Sequence, residues 1–274
     1  MKKVLLLTDF SDAARNAIHF AQTLFRDTPV EFSLLHVYQI ETDALYAAAY
    51  LLDEAKDASF QHLHEELNAI TDIPAIHSYR LLNAPGTPVT VVGSLLEREG
   101  YDLVVVGATG AGLFPVLGSV ATGLIRSAET NVLVVPESAK NKAIRQVVLA
   151  VPYPGTLPSA DVLKPLLDIK AIGKAELTAL SIVETNFDHA EKGDFEEHRR
   201  DLAAQFGDGQ ATPYFIMDDN IGHGIETYLE NNQVDLLVTV PHRKSLLDVL
   251  WNRSVTRQLA YNPLVPLLAL HDGN

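Results

Sequence analysis

Asp102-Leu103-Val104-Val105-Val106-Gly107-Ala108-Thr109-Gly110-Ala111-Gly112 joins an acidic residue, a short branched apolar run and a glycine-rich loop. An apolar run of this length, ended by glycine, reads as a strand buried on both faces, as in a parallel sheet. The run returns as Asp235-Leu236-Leu237-Val238-Thr239, 133 residues later. Working outward, Lys3-Val4-Leu5-Leu6-Leu7 returns as Gln146-Val147-Val148-Leu149-Ala150. Ser119-Val120-Ala121-Thr122 returns as Ser254-Val255-Thr256, and Asn131-Val132-Leu133-Val134-Val135 as Pro266-Leu267-Leu268-Ala269-Leu270. The order is kept while the offsets drift only between 133 and 143, so the chain is a duplication.

Each copy alternates strands with helices. The first predicts strands near 2–8, 30–37, 76–82, 101–107 and 131–135, with helices near 11–25, 42–70, 87–99 and 119–128. Ser11 and Ser119 stand as N-caps. The second predicts strands near 146–151, 174–181, 212–216, 234–239 and 266–270. Its helices fall near 157–171, 189–205, 223–231 and 253–260. Such alternation implies right-handed βαβ crossovers and two tandem doubly wound α/β domains. The join falls at the polar stretch Pro136 to Lys142, placing the domains at 1–140 and 141–274. A join so short predicts domains that pack together.

Composition narrows the function classes. The 274 residues carry 35 Asp and Glu against 21 Lys and Arg, a net charge of −14. Both halves are acidic (−8 for 1–140 and −6 for 141–274), which argues against a nucleic-acid partner. There is no cysteine, hence no disulfide framework or cysteine metal site, and a cytoplasmic location is expected. No apolar stretch approaches the roughly 18 residues of a membrane span, and no signal peptide is recognisable. A soluble protein without a membrane partner is expected.

Ligands of open α/β sheets bind beyond the carboxyl ends of the strands, where strand order reverses. Two loops of the first copy lead there: Thr8-Asp9-Phe10-Ser11, and Gly107 through Gly118-Ser119. Glycines at 107, 110 and 112 permit close backbone approach, and Gly118-Ser119 opening a helix offers free N–H groups to an anion. The loop lacks the Gly-Lys-Ser/Thr of a Walker A motif, and it follows the fourth strand rather than the first, unlike a dinucleotide fingerprint.

These residues resemble the universal stress protein (UspA-like) family in its tandem two-domain form. The resemblance rests on Thr8-Asp9-Phe10-Ser11, on the second strand ending His36-Val37, on the spaced glycine loop closed by Gly118-Ser119, and on the final apolar strand. It implies a five-stranded, mainly parallel sheet ordered 3-2-1-4-5 in each domain, with helices on both faces, and pairing through the last strands. That pairing would be satisfied between the two domains of one chain, or extended to a homodimer.

The resemblance further implies an adenine nucleotide (ATP, or AMP or ADP in its place) with Mg2+. Asp9 would contact the adenosine, the Val37 backbone the adenine, and Gly107, Gly110, Gly118 and Ser119 the ribose and phosphates, with Gly112 in the same loop. Seven residues separate Gly110 from Gly118 where the family pattern has nine. In the second copy Val240, Arg243 and Arg253 occupy the three glycine positions, and the first-strand turn reads Val151-Pro152-Tyr153-Pro154 without its aspartate. That copy is expected to have lost the nucleotide. His242, Arg243, Lys244 and Arg253 then form either a site for another anion or partners for the abundant carboxylates.

The histidines give no metal spacing. His62 and His64 lie on different faces of their helix, His189 and His198 sit in an acidic, solvated-looking helix, and His36 reads as a packed strand residue. The segment 43–69 reads as an amphipathic helix covering the sheet, with its Ala44–Tyr50 start as an alternative partner surface. No catalytic residue stands out. The expected function is a stress-response sensor or regulator with an unidentified protein partner. A scaffold with both sites inactive and a slow ATP hydrolase are its rivals.

Overall fold

A computed structural model describes residues 1–39, 45–108, 119–151, 153, 157–183, 192–206, 211–240 and 265–271. The chain divides into two compact units, Met1–Asn141 and Lys142–Asn274.

In the first unit the elements run β1 (Lys2–Thr8), α1 (Asp12–Leu24), β2 (Val30–Tyr38), α2 (Leu45–Ala69), β3 (His77–Pro85), α3 (Pro88–Glu99), β4 (Leu103–Ala108), α4 (Ser119–Ser127) and β5 (Asn131–Pro136). The strands lie in the order β3-β2-β1-β4-β5, and every described pairing is parallel. Consecutive residues Val4, Leu5 and Leu6 are wholly buried, so both faces of the central strand are covered. Arg15 of α1 pairs with Glu66 of α2 at 3.1 Å in one helical layer. In the other, α3 meets α4 where Gly123 lies so near Val89 that an added Cβ would stand 2.8 Å from its Cγ2.

The second unit runs β6 (Gln146–Ala150), α5 (Ala160–Leu167), a 3-10 turn (Ile172–Lys174), β7 (Glu176–Val183), α6 (Lys192–Phe206), β8 (Ala211–Met217), α7 (Ile221–Asn231), β9 (Leu236–Thr239) and β10 (Leu267–Ala269). Its order, β10-β9-β6-β7-β8, is the same 3-2-1-4-5 arrangement counted within the unit, again parallel throughout. The helix expected near 253–260 lies outside the described residues.

The acidic residue heading each fourth strand has a structural task. Asp102 Oδ2 accepts from the Lys3 amide at 2.7 Å, tying the start of β4 to the start of β1. Asp235 Oδ2 accepts from the amides of Arg145 and Gln146 at 2.8 and 3.0 Å, and Lys142 Nζ lies 2.5 Å from its Oδ1. Burial opposes ionisation of Asp235, but Lys142 and the two amides outweigh it and hold its carboxyl below the ordinary value. The repeated Asp is therefore a clamp between neighbouring strands rather than a ligand.

Candidate functional site in the first unit

β1 and β4 are neighbours with Leu6 opposite Val105, and continuing that register sets Thr8 level with Gly107. Asp9 and Ala108 therefore leave the sheet side by side, at the point where strand order reverses. The expected meeting of the two loops rests on this pairing.

The β1–α1 turn is tight. Three residues separate Thr8 from the first residue of α1, and the middle one, Phe10, adopts φ +64°. This left-handed conformation costs a bulky residue roughly 1–2 kcal/mol. Its amide donates to Thr8 Oγ1 at 3.0 Å. Ser11 caps α1, its Oγ accepting from the Ala14 amide at 3.2 Å, as its N-cap position predicts. The Ser11 amide and hydroxyl both donate to Asp9 Oδ1, at 3.1 and 2.5 Å. Asp9 is thus held rigidly at the helix N-terminus, exposed, with Oδ2 outside the cap. An exposed carboxylate held through one oxygen suits recognition of a hydroxyl, such as that of a ribose.

The left-handed turn aims the Phe10 ring at β2 and α2. Its centroid lies 4.4 Å from that of His36 and 5.2 Å from that of His62. His36 Nδ1 shares a hydrogen bond with Ser59 Oγ at 2.8 Å. Desolvation lowers the pKa of His36; the charge of Asp9 opposes this and His62 adds to it. His36 is a packed, hydrogen-bonded strand residue, as its sequence context suggests. Phe10, Ser59 and His62 give no such signal, because their meeting depends on contacts between separate elements.

Gly107 sits in β4 against the first turn of α1. A Cβ there would stand 2.6 Å from the Ala13 carbonyl oxygen and 2.9 Å from the Ala14 nitrogen, both backbone atoms. Packing alone forbids a side chain at this position. Val37 is the penultimate residue of β2, half-buried, opposite Ala84 of β3. Ser119 is the first residue of α4. The side chain of Ser119, together with Gly110, Gly112 and Gly118, lies outside the described residues, as do Arg243 and Arg253. Val240 is described and buried.

One reading of the second unit needs correction. His198 is not solvated: it is 6 % exposed, shares a 3.3 Å hydrogen bond with Ser181, and packs edge-on to Tyr153 at 5.2 Å. Its surroundings in sequence are charged, but His198, Leu202 and Phe206 are spaced i, i+4, i+8 and are all buried. That spacing was the available signal. Among the described residues no group of three or more His, Cys, Asp or Glu side chains could hold a metal ion, and no helix is long and apolar enough to cross a membrane.

A parallel, doubly wound unit with a fixed carboxylate at its switch point defines an α/β protein of the kind that takes ligands beyond its strand ends. Residues 1–136 match the universal stress protein family, and through this unit the chain belongs to that family. The fold also resembles a crystal structure of a universal stress protein from Archaeoglobus fulgidus DSM 4304. The TM-score is 0.72 at 16 % identity, covering 99 % of this chain and 98 % of that one. A functionally unknown protein from Pseudomonas aeruginosa PAO1 is similar at a TM-score of 0.63 and 17 % identity, over 100 % and 93 % of the chains. The cytoplasmic domain of a prokaryotic cation chloride cotransporter reaches 0.50 at 11 % identity, over 99 % and 96 %. At these identities the likeness concerns the fold, and a fold alone assigns no activity. A search of curated proteins gives no match.

Proposed function

We propose that the first unit binds an adenine nucleotide, ATP with Mg2+, and acts in the cytoplasm as a stress-response sensor or regulator. The observation that carries this reading is Asp9, fixed by Ser11 at the mouth of the crevice beside the chain leaving β4. Asp9 Oδ2 would take a ribose hydroxyl, and the backbone at Val37 would meet the base. Gly110, Gly112, Gly118 and Ser119 would hold the phosphates with their magnesium. The nucleotide supplies the negative charge that a helix N-terminus such as that of α4 attracts.

Calorimetry on the intact protein tests this. Binding of ATP is expected, weakened at least tenfold by Asp9→Ala, and lost on Gly118→Arg, which fills the phosphate volume. No heat with either ATP or AMP, or binding untouched by Gly118→Arg, ends the reading.

The close approach of Gly107 to Ala13 favours a second one. A glycine retained for packing needs no nucleotide, so the unit would then be an interaction scaffold. Nucleotide released from the purified protein on heating would rule that out.

A further inference from the structure

The segment that leads out of the first unit is fastened to both arms of the crevice. The amide of Glu137 donates to the Ala108 carbonyl at 3.1 Å, and Ala108 is the last residue of β4 before the 109–118 stretch. Asn16, on α1, makes the other attachment. Its Nδ2 donates to the carbonyls of Pro136, Glu137 and Ala139 at 3.0, 3.2 and 3.0 Å, two hydrogens shared among three acceptors. Asn141 Nδ2 in turn donates to Asn16 Oδ1 at 3.0 Å. The amide of Ala139 closes a turn on Pro136 at 3.0 Å. Three surrounding carbonyls also fix the orientation of the Asn16 amide, since only its NH2 end can face them.

Both anchors belong to elements that form the site. Asn16 stands five residues after the cap Ser11, on the helix whose N-terminus holds Asp9. Ala108 follows Gly107, whose backbone lies against Ala13 and Ala14. The path Asp9–α1–Asn16 and the path from the 109–118 stretch through Ala108 therefore converge on residues 136–141.

We propose that residues 136–141 are a reporter of crevice occupancy: a nucleotide bridging the β1–α1 turn and the chain after β4 fixes α1 against β4 and tightens the segment fastened to both. This rests on the nucleotide reading above. Because coupling between two equilibria is reciprocal, releasing the segment must weaken the nucleotide by the same factor. Asn16 touches no ligand in this scheme; it is a positioning residue.

Hydrogen exchange at the Glu137 and Ala139 amides of the intact protein, with and without saturating ATP, tests the coupling. ATP is expected to slow both at least about fivefold, the lower end of ordinary coupling. Asn16→Ala should abolish that dependence and weaken ATP in calorimetry by the same factor, with the circular dichroism unchanged. ATP that binds calorimetrically but leaves both amides exchanging as before overturns the reporter and spares the nucleotide reading. Absence of any binding heat overturns both. The wild-type exchange arm decides the matter even if Asn16→Ala fails to fold.

Discussion

The two units build the same sheet but turn the first corner differently. In the first, β1 ends at Thr8 and Ser11 already caps α1; in the second, β6 ends at Ala150 and the cap is Ser159. The short turn forces Phe10 into the left-handed region and brings Ala13 against β4, where only a glycine fits. In the second unit the first helix starts later, and the place of Gly107 in the strand register is taken by Val240, fully buried. The difference teaches that a glycine in a nucleotide-type loop can be set by the length of a turn elsewhere in the unit. In this chain the glycine goes with the short turn and the valine with the later helix start.

Exchanging the two residues should break that correlation most sharply. Gly107→Val is expected to destabilise the first unit by about 3 kcal/mol, because its Cβ collides with backbone rather than with a side chain that can rotate away. Val240→Gly removes a buried side chain and should cost the second unit about 2 kcal/mol without conferring nucleotide binding. Hydrogen exchange of the β4 and β9 amides separates the two losses. Equal, small effects would mean that turn length does not control the position.

The strand clamps give the next contrast. Asp235 is buried and holds two amides and Lys142, whereas Asp102 is exposed and holds one amide. Asp235→Ala is expected to cost about 2 kcal/mol and Asp102→Ala about 1 kcal/mol, read from urea unfolding. The caps come third. Ser159→Ala should cost about 1 kcal/mol, and Ser11→Ala somewhat more, since Ser11 also restrains Asp9. Only the Ser11 variant should weaken ATP.

The smallest effect is in pH. Burial depresses the pKa of both His36 and His198 below the ordinary 6.5, so the unfolded chain binds those protons more readily. Stability then rises with pH across that range and falls on acidification below about 6.5. His223 has the opposite sign. The Asp218 carboxylate, 2.5 Å away, raises its pKa, so its contribution is present below the ordinary value and fades as pH climbs through the raised one. Thermal melts from pH 5 to 8 should show a flatter slope for His198→Gln and a steeper one for His223→Gln.

Most of the sheet was legible because parallel strands covered on both faces are apolar throughout; β1, β4 and β5 stand out as unbroken runs. β3 and β8, each an outer strand of its own unit, alternate between exposed and covered positions, and β3 extends to Pro85, beyond the apolar run that predicts it. At the candidate site, the motif singles out Asp9 and Gly107, and the strand order brings the ends of β1 and β4 level. The collision that explains Gly107, the tilted and edge-on ring contacts of Phe10 and the Asn16 anchor were not legible, since each depends on atoms brought together from distant parts of the chain.

The His–Ser pair carries a last consequence. By the strand register, Ser181 of β7 stands where His36 stands in β2, and the two aromatic partners, Phe10 and Tyr153, are 143 residues apart, like the strands they follow. In the first unit the strand gives the imidazole and the helix the hydroxyl; in the second the roles are exchanged. No single substitution converts one arrangement into the other. The halfway states are two serines, which leave a void, or two imidazoles, which overfill it. Each copy therefore sits in its own evolutionary valley, and a recombinant that joins β2 to α6 would inherit the mismatch at once.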